Sequence, residues 1–301
     1  MLFLFYLLFF SNFARKMAKQ TLVFESPKEL SLRDGMLVIS DRETGETVMR
    51  SLEDIQMIMI DNHSVRLSIP LLTRISKINI GVVFCDERHY PVSMLLDMES
   101  HSLQSKRIRC QLAASKVTNK QIWKQIVEAK IRNQSLLLEK SGLGKSLLSS
   151  YYNNVKSGDS TNREGVAARI YWSKLMGKNF IRDRYGEPPN ALLNYGYAVL
   201  RSMSARSLMS AGLLPLVGVF HHNCHDSLPL ADDVMEPYRP YIDRKVREMA
   251  EEGLTDVCRE SKKRILELFY EDIPADAIAL SASTLAGIYE GAGKVIVFPS
   301  I

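Results

Sequence analysis

HYPVSMLLDMESHSLQSKRIRCQLAA, residues 89–114, is where the chain changes character. Its first eight residues, 89–96, read as a last β-strand. Beyond His101 the β pattern stops, and apolar groups recur at helical spacing with Lys and Arg on the other side. Before this junction, TLVF, ELSL, MLVIS, TVMRS, IQMIMI and IGVVF are short β-branched or alternating runs. Asp34-Gly35 predicts a hairpin turn, DRETGE (41–46) a polar loop, and Ile69 to Ile78 one amphipathic helix. After it, EGVAARIYWSKLM, NALLNYGYAVLRSMSARSLMSAG, PYIDRKVREMAEEG and TDVCRESKKRILELFYE all read as helices, with Gly212 and Gly253 at two of the ends. KVIVF near residue 296 reads as a short extended piece. The expected fold class is therefore α+β: a β domain over 17–96, a junction at 97–103, and a larger all-α domain over 104–301.

With 46% hydrophobic and 24% charged residues in 301, the chain can bury a sizeable core, which excludes a disordered protein. Cys85, Cys110, Cys224 and Cys258 are scattered without a CxxC pair, which predicts a reducing compartment, the cytoplasm, and no disulfide framework. The net charge of +5 is unevenly spread: −2 over residues 1–100, +13 over 101–210 and −6 over 211–301. A middle segment this basic suits a polyanion, and nucleic acid is the commonest one. The apolar leader MLFLFYLLFF is too short to cross a bilayer, which needs about 20 residues. It also lacks the flanks of a signal peptide. Residues 1–16 are expected to be a mis-called start ahead of Met17, with a membrane tether as the alternative.

GLGKS (142–146) resembles a phosphate-binding loop, but Glu139 stands where that motif needs glycine, and the segment follows a helix. Gly142 and Gly144 read instead as a helix stop and turn. FHHNCHDSLPLADDVMEP (220–237) holds three His, one Cys, three Asp and one Glu. Two metal readings are open here. His221, Cys224 and His225 could bind zinc, although no second cluster closes a four-ligand site. Alternatively a histidine joins Asp233 and Glu236, whose spacing puts both on one helix face, a set suited to Mn²⁺ or Mg²⁺. The same acids would also suit an ordinary acidic helix start. In STNREGVAARIYW, Thr161 to Glu164 has capping-box spacing, so Glu164 reads either as a cap or as a carboxylate at the domain's interior edge. Arg201 and Arg206, on an apolar helix with Tyr195 and Tyr197, read first as structural and second as phosphate contacts.

Together, NREGVAARIYW, NALLNYGYAVLRSMSAR and GVFHHN…ADDVMEPYRP resemble the CRISPR-associated endonuclease/integrase family of spacer acquisition. They are most similar to the branch that accompanies a single-protein RNA-guided effector nuclease. The resemblance runs from about Thr21 onward, and three motifs in the right order make it specific. It implies Glu164, His221 and Glu236 as ligands of Mg²⁺ or Mn²⁺, with Asp233 supporting catalysis. It places Arg163, Arg201, His222 and Arg239 among the residues that meet DNA, and His225 on a loop near substrate. It also implies that a fragment's 3′-hydroxyl attacks a phosphodiester at a repeat, without ATP. The implied partners are double-stranded DNA, a second copy of the chain, and a small ferredoxin-like adaptation protein, with no membrane. An inactive DNA-binding scaffold and a general repair nuclease are the rival readings.

Overall fold

The computed structural model describes residues 19–97, 99–221, 226–273 and 275–301. The leader at 1–16 lies outside the described residues, as do His222 of the DNA reading and Cys224 and His225 of the zinc reading. The chain divides into two compact units: residues 1–97 with 269–275, and residues 98–268 with 276–301.

The first unit holds two four-stranded sheets. In one, the order is β1 (Gln20–Phe24), β5 (Ile55–Ile60), β7 (Gly81–Cys85) and β8 (Pro91–Leu95). β5 is parallel to both neighbours and buried at every position. An interior parallel strand has no wet face, which is why IQMIMI is nearly continuous in apolar residues. In the second sheet the order is β4 (Thr47–Ser51), β3 (Met36–Asp41), β2 (Lys28–Arg33) and β6 (Arg66–Leu67). The β2–β3 hairpin turns on Asp34 and Gly35 at φ of 51° and 76°, the left-handed pair that a two-residue turn requires. Helix α1 (Ile69–Lys77) buries Leu71 and Ile75, four residues apart, in the unit's core with Leu30, Leu37, Ile58 and Val82.

The second unit is helical. α2 (Gln104–Leu112) and the short α4 (Ser149–Tyr152) flank α3 (Lys116–Lys140), a 25-residue helix capped by Ser115, whose hydroxyl accepts from Thr118 N at 3.0 Å. Then follow α5 (Arg163–Leu175), α6 (Asn190–Ser210), α7 (Pro229–Met235), a 3-10 turn at Glu236–Tyr238 and α8 (Arg239–Glu251). α9 (Arg259–Glu271) and α10 (Ala275–Tyr289) complete the set. Gly196 lets α6 close on α8, since a Cβ there would sit 2.4 Å from Ile242 Cγ2.

The tail near residue 296 is neither helix nor strand. KVIVF pairs with no strand among the described residues. Its backbone is held by side chains instead: Gln125 donates to Lys294 O at 3.0 Å and accepts from Ile296 N at 2.9 Å, and Ser281 donates to Val297 O. These side chains take the backbone hydrogen bonds that a ladder would have used.

Candidate metal and phosphodiester site

α5 brings the first carboxylate. Its start is not the predicted Thr161–Glu164 box. Asn162, at φ 50°, is the cap, and its side-chain oxygen accepts from Gly165 N at 3.1 Å. Asp159 takes the next two donors, Arg163 N at 2.8 Å and Glu164 N at 3.0 Å. The first turn is thus satisfied without the Glu164 side chain, which stays available for other work. Gly165 is needed here because a Cβ would lie 2.6 Å from the capping oxygen of Asn162.

Glu164 points at Lys130, and so does Glu236. Lys130 Nζ lies 2.5 Å from Glu164 Oε1 and 2.5 Å from Glu236 Oε2. Arg239 Nη2 reaches the other oxygen of Glu236 at 3.0 Å. The Glu236 side chain is 4% exposed. Burial alone would raise its pKa, but Arg239 and Lys130 outweigh burial and hold it below the usual carboxylate range. Burial likewise pulls the Lys130 ammonium down, and Glu236 and Glu164 more than offset it, so it stays charged.

His221 stands on the loop between α6 and α7, fixed from two sides. Its Nδ1 is 2.6 Å from Asp233 Oδ1, and the Trp123 ring meets its edge at 5.8 Å between centroids. Asp233, fully buried on α7, also accepts from Val219 N at 2.6 Å and Phe220 N at 3.1 Å, so one carboxylate pins both the loop and the imidazole. Phe220 stacks on Trp123 at 4.2 Å. The Asp233 hydrogen bond raises the His221 pKa against the opposing pull of burial, and it leaves Nε2 as the nitrogen available for a ligand. The loop passes so close to α7 that a Cβ on Gly218 would be 2.4 Å from His221 O and 3.2 Å from Asp233 Oδ2.

The four predicted DNA contacts fall differently. Arg239 is taken by Glu236 and lies 4.6 Å over the Tyr197 ring. Arg201 is bound by Asp226 and, at 2.8 Å, by Asp232, whose carboxyl burial pushes up to about 6. Both guanidiniums therefore meet carboxylates of the chain itself, and each side chain keeps more than a quarter of its surface exposed. Arg163 lies 5.9 Å over the Tyr151 ring, and His222 is outside the described residues. Arg206 is half-buried, and desolvation lowers its pKa.

The donors fit a hard divalent ion in type: two carboxylates aimed at one cationic point, and an imidazole oriented by a carboxylate. Glu236 Oε2 is buried with the Lys130 ammonium 2.5 Å away, so this oxygen already faces a cation. As placed, no three His, Cys, Asp or Glu side chains among the described residues are grouped closely enough to hold an ion, and the ammonium stands at that point.

The model of the CRISPR associated protein Cas1 family matches residues 21–262. The chain belongs to the Cas1 family. A curated Cas1 relative, a CRISPR-associated endonuclease from Neisseria meningitidis, is 36% identical over 239 residues, covering 79% of this chain and 78% of the relative. Two solved structures share the fold. One, a casposase bound to integration product, has TM-score 0.75 at 21% identity, with 92% of each chain covered. The other, a Cas6-RT-Cas1–Cas2 complex, has TM-score 0.69 at 20% identity, covering 93% of this chain and 36% of the other. The strand-then-helix order expected from the sequence is the order found in this Cas1-family chain. Among the described residues, no helix is long and apolar enough to cross a membrane.

Proposed function

We propose that this Cas1-family chain joins DNA fragments into a CRISPR array by metal-dependent phosphoryl transfer, in the cytoplasm. The convergence of Glu164 and Glu236 on one cationic point is the observation that carries this reading. Glu164, Glu236 and His221 Nε2 would hold Mg²⁺ or Mn²⁺, which when bound supplies charge neutralisation at a scissile phosphate. Asp233 keeps the imidazole in the tautomer that offers Nε2. Arg239 keeps Glu236 ionised and aimed. The fragment's 3′-hydroxyl forms one P–O bond as the repeat's own P–O bond breaks, and the proton passes to the departing oxygen. One diester replaces another, so no ATP is consumed. With water in place of the hydroxyl, the same site would cut DNA.

The basic stretch from α2 to α6 presents Lys116, Lys120, Lys145, Lys178 and Arg184 to solvent, which suits backbone tracking that is salt-sensitive and largely blind to sequence. In this reading the β unit pairs two copies of the chain, and two such dimers flank a dimer of a small ferredoxin-like partner. One structural neighbour is a Cas6-RT-Cas1–Cas2 complex, which supports a protein partner.

The test is covalent joining of a duplex with free 3′-hydroxyls to a supercoiled plasmid carrying a repeat, with Mn²⁺ or Mg²⁺, with and without the small partner. Joining should require the metal and disappear in Glu164→Ala and His221→Ala. DNA binding without joining or cutting would favour an inactive scaffold. Equal activity on random DNA would favour a general nuclease.

A further inference from the structure

Lys130 belongs to no motif in the sequence, yet it occupies the centre of the site. It sits on the buried stripe of α3 with Trp123, Ile126, Val127 and Ile131, where a lysine needs a partner. Its side chain is 11% exposed, and it has two partners, Glu164 and Glu236, each at 2.5 Å. With Arg239 on the second oxygen of Glu236, two carboxylates meet two cations. His221 and Asp233 form a separate pair beside them. The carboxylates are therefore already neutralised without any ion.

Adding a divalent cation to this arrangement, with His221 neutral as a ligand and Asp233 ionised behind it, leaves an uncompensated positive charge in a largely buried place, which is unfavourable. Two events would relieve it. A DNA phosphate can bring negative charge in, or the ammonium can leave. The ammonium is held by both carboxylates at 2.5 Å, but it hangs on a flexible four-carbon stem on which it can swing away. Arg239, by contrast, is held by Glu236 and by the face of Tyr197.

We propose that Lys130 is a built-in counter-cation that holds Glu164 and Glu236 together before the metal arrives and makes tight metal binding conditional on DNA. This rests on the metal reading of the preceding section. It predicts reciprocal coupling: whatever factor DNA adds to metal affinity, metal adds to DNA affinity.

The experiment is an electron paramagnetic resonance titration of Mn²⁺ against the full chain. It is run alone and with a short duplex whose 3′ ends are dideoxy, so that joining is blocked. For the unsubstituted protein, DNA should tighten Mn²⁺ binding by about tenfold or more, a comparison that needs no variant. Lys130→Met should bind Mn²⁺ without DNA nearly as tightly as the unsubstituted protein does with DNA, and Lys130→Arg should retain the coupling. Without metal, Lys130→Met should melt earlier, and Mn²⁺ should restore more of its melting temperature than it adds to the unsubstituted protein. Equal Mn²⁺ affinity with and without DNA in the unsubstituted protein would overturn the inference. So would unchanged metal-only affinity in a folded Lys130→Met. If neither protein bound Mn²⁺ under any condition, the metal reading itself would fall, an outcome distinct from uncoupled binding.

Discussion

Glu236 and Asp243 are seven residues apart in the chain, both almost wholly buried, and they behave in opposite ways. Glu236 is met by Lys130 and Arg239, and its carboxyl is held below the usual range. Asp243 is met by two phenols, Tyr171 OH at 2.7 Å and Tyr197 OH, and burial pushes it up to about 6 despite them. At Glu236 two close cations outweigh desolvation, whereas at Asp243 the two phenols, with Arg239 and Arg182 acting on it as well, offset only part of it. Glu236 therefore keeps a charge that a metal or ammonium can share. Asp243 ties α5, α6 and α8 together at a cost in electrostatic energy. The first arrangement is built for exchange of cations, the second for fixed packing.

The comparison breaks most sharply if Glu236 is removed. Glu236→Ala takes the carboxylate from Arg239 and leaves Lys130 with Glu164, and we expect a loss of about 3–5 kcal/mol in urea unfolding together with loss of joining. The pH dependence should separate the two acids next. Asp243 binds more protons folded than unfolded between pH 3.8 and about 6, so its contribution weakens as pH rises through that window, by up to about 3 kcal/mol. Glu236 has the opposite sign: its contribution is present above its unfolded value of 4.5 and is lost as pH falls through its lowered folded value. Denaturant midpoints at pH 4.5 and 7 should therefore show Asp243→Asn gaining relative to the unsubstituted protein as pH rises, and parallel shifts would remove the distinction.

Packing near the Asp243 cluster gives a smaller effect. Gly196→Ala pushes a Cβ against Ile242, the residue before Asp243, and should cost about 1–3 kcal/mol in the same unfolding measurement. Smallest is the cap that leaves Glu164 free: Asn162→Ala should cost about 1 kcal/mol, whereas Thr161→Ala should cost less. Equal costs would restore the capping box predicted from sequence.

What could be read from the sequence depended on distance along the chain. Alternation and a two-residue turn are local, so the β2–β3 hairpin and the buried run of β5 were legible. Glu164, His221, Asp233 and Glu236 were found through motif resemblance, and spacing alone would have left them as caps and helix starts. Lys130 was missed because its partners lie 34 and 106 residues away. Its one local signal is a lysine on an otherwise apolar helix face. The carboxylates beside Arg201 and Arg239, namely Asp226, Asp232 and Glu236, were not legible either, because charge composition says nothing of which groups lie together. The start of α5 was misplaced for a related reason. Left-handed backbone at Asn162 moved the cap one residue past Thr161, and Asp159 supplied the acceptors.

The most direct test of the account is the anomalous signal of Mn²⁺ in crystals of the chain with a duplex carrying blocked 3′ ends. The account predicts one ion between Glu164 and Glu236, with His221 Nε2 as a ligand, Asp233 still on Nδ1, and Lys130 Nζ displaced from the point it holds between the two carboxylates. Manganese bound elsewhere, or a Lys130 ammonium still bridging both carboxylates with DNA and metal present, would contradict it.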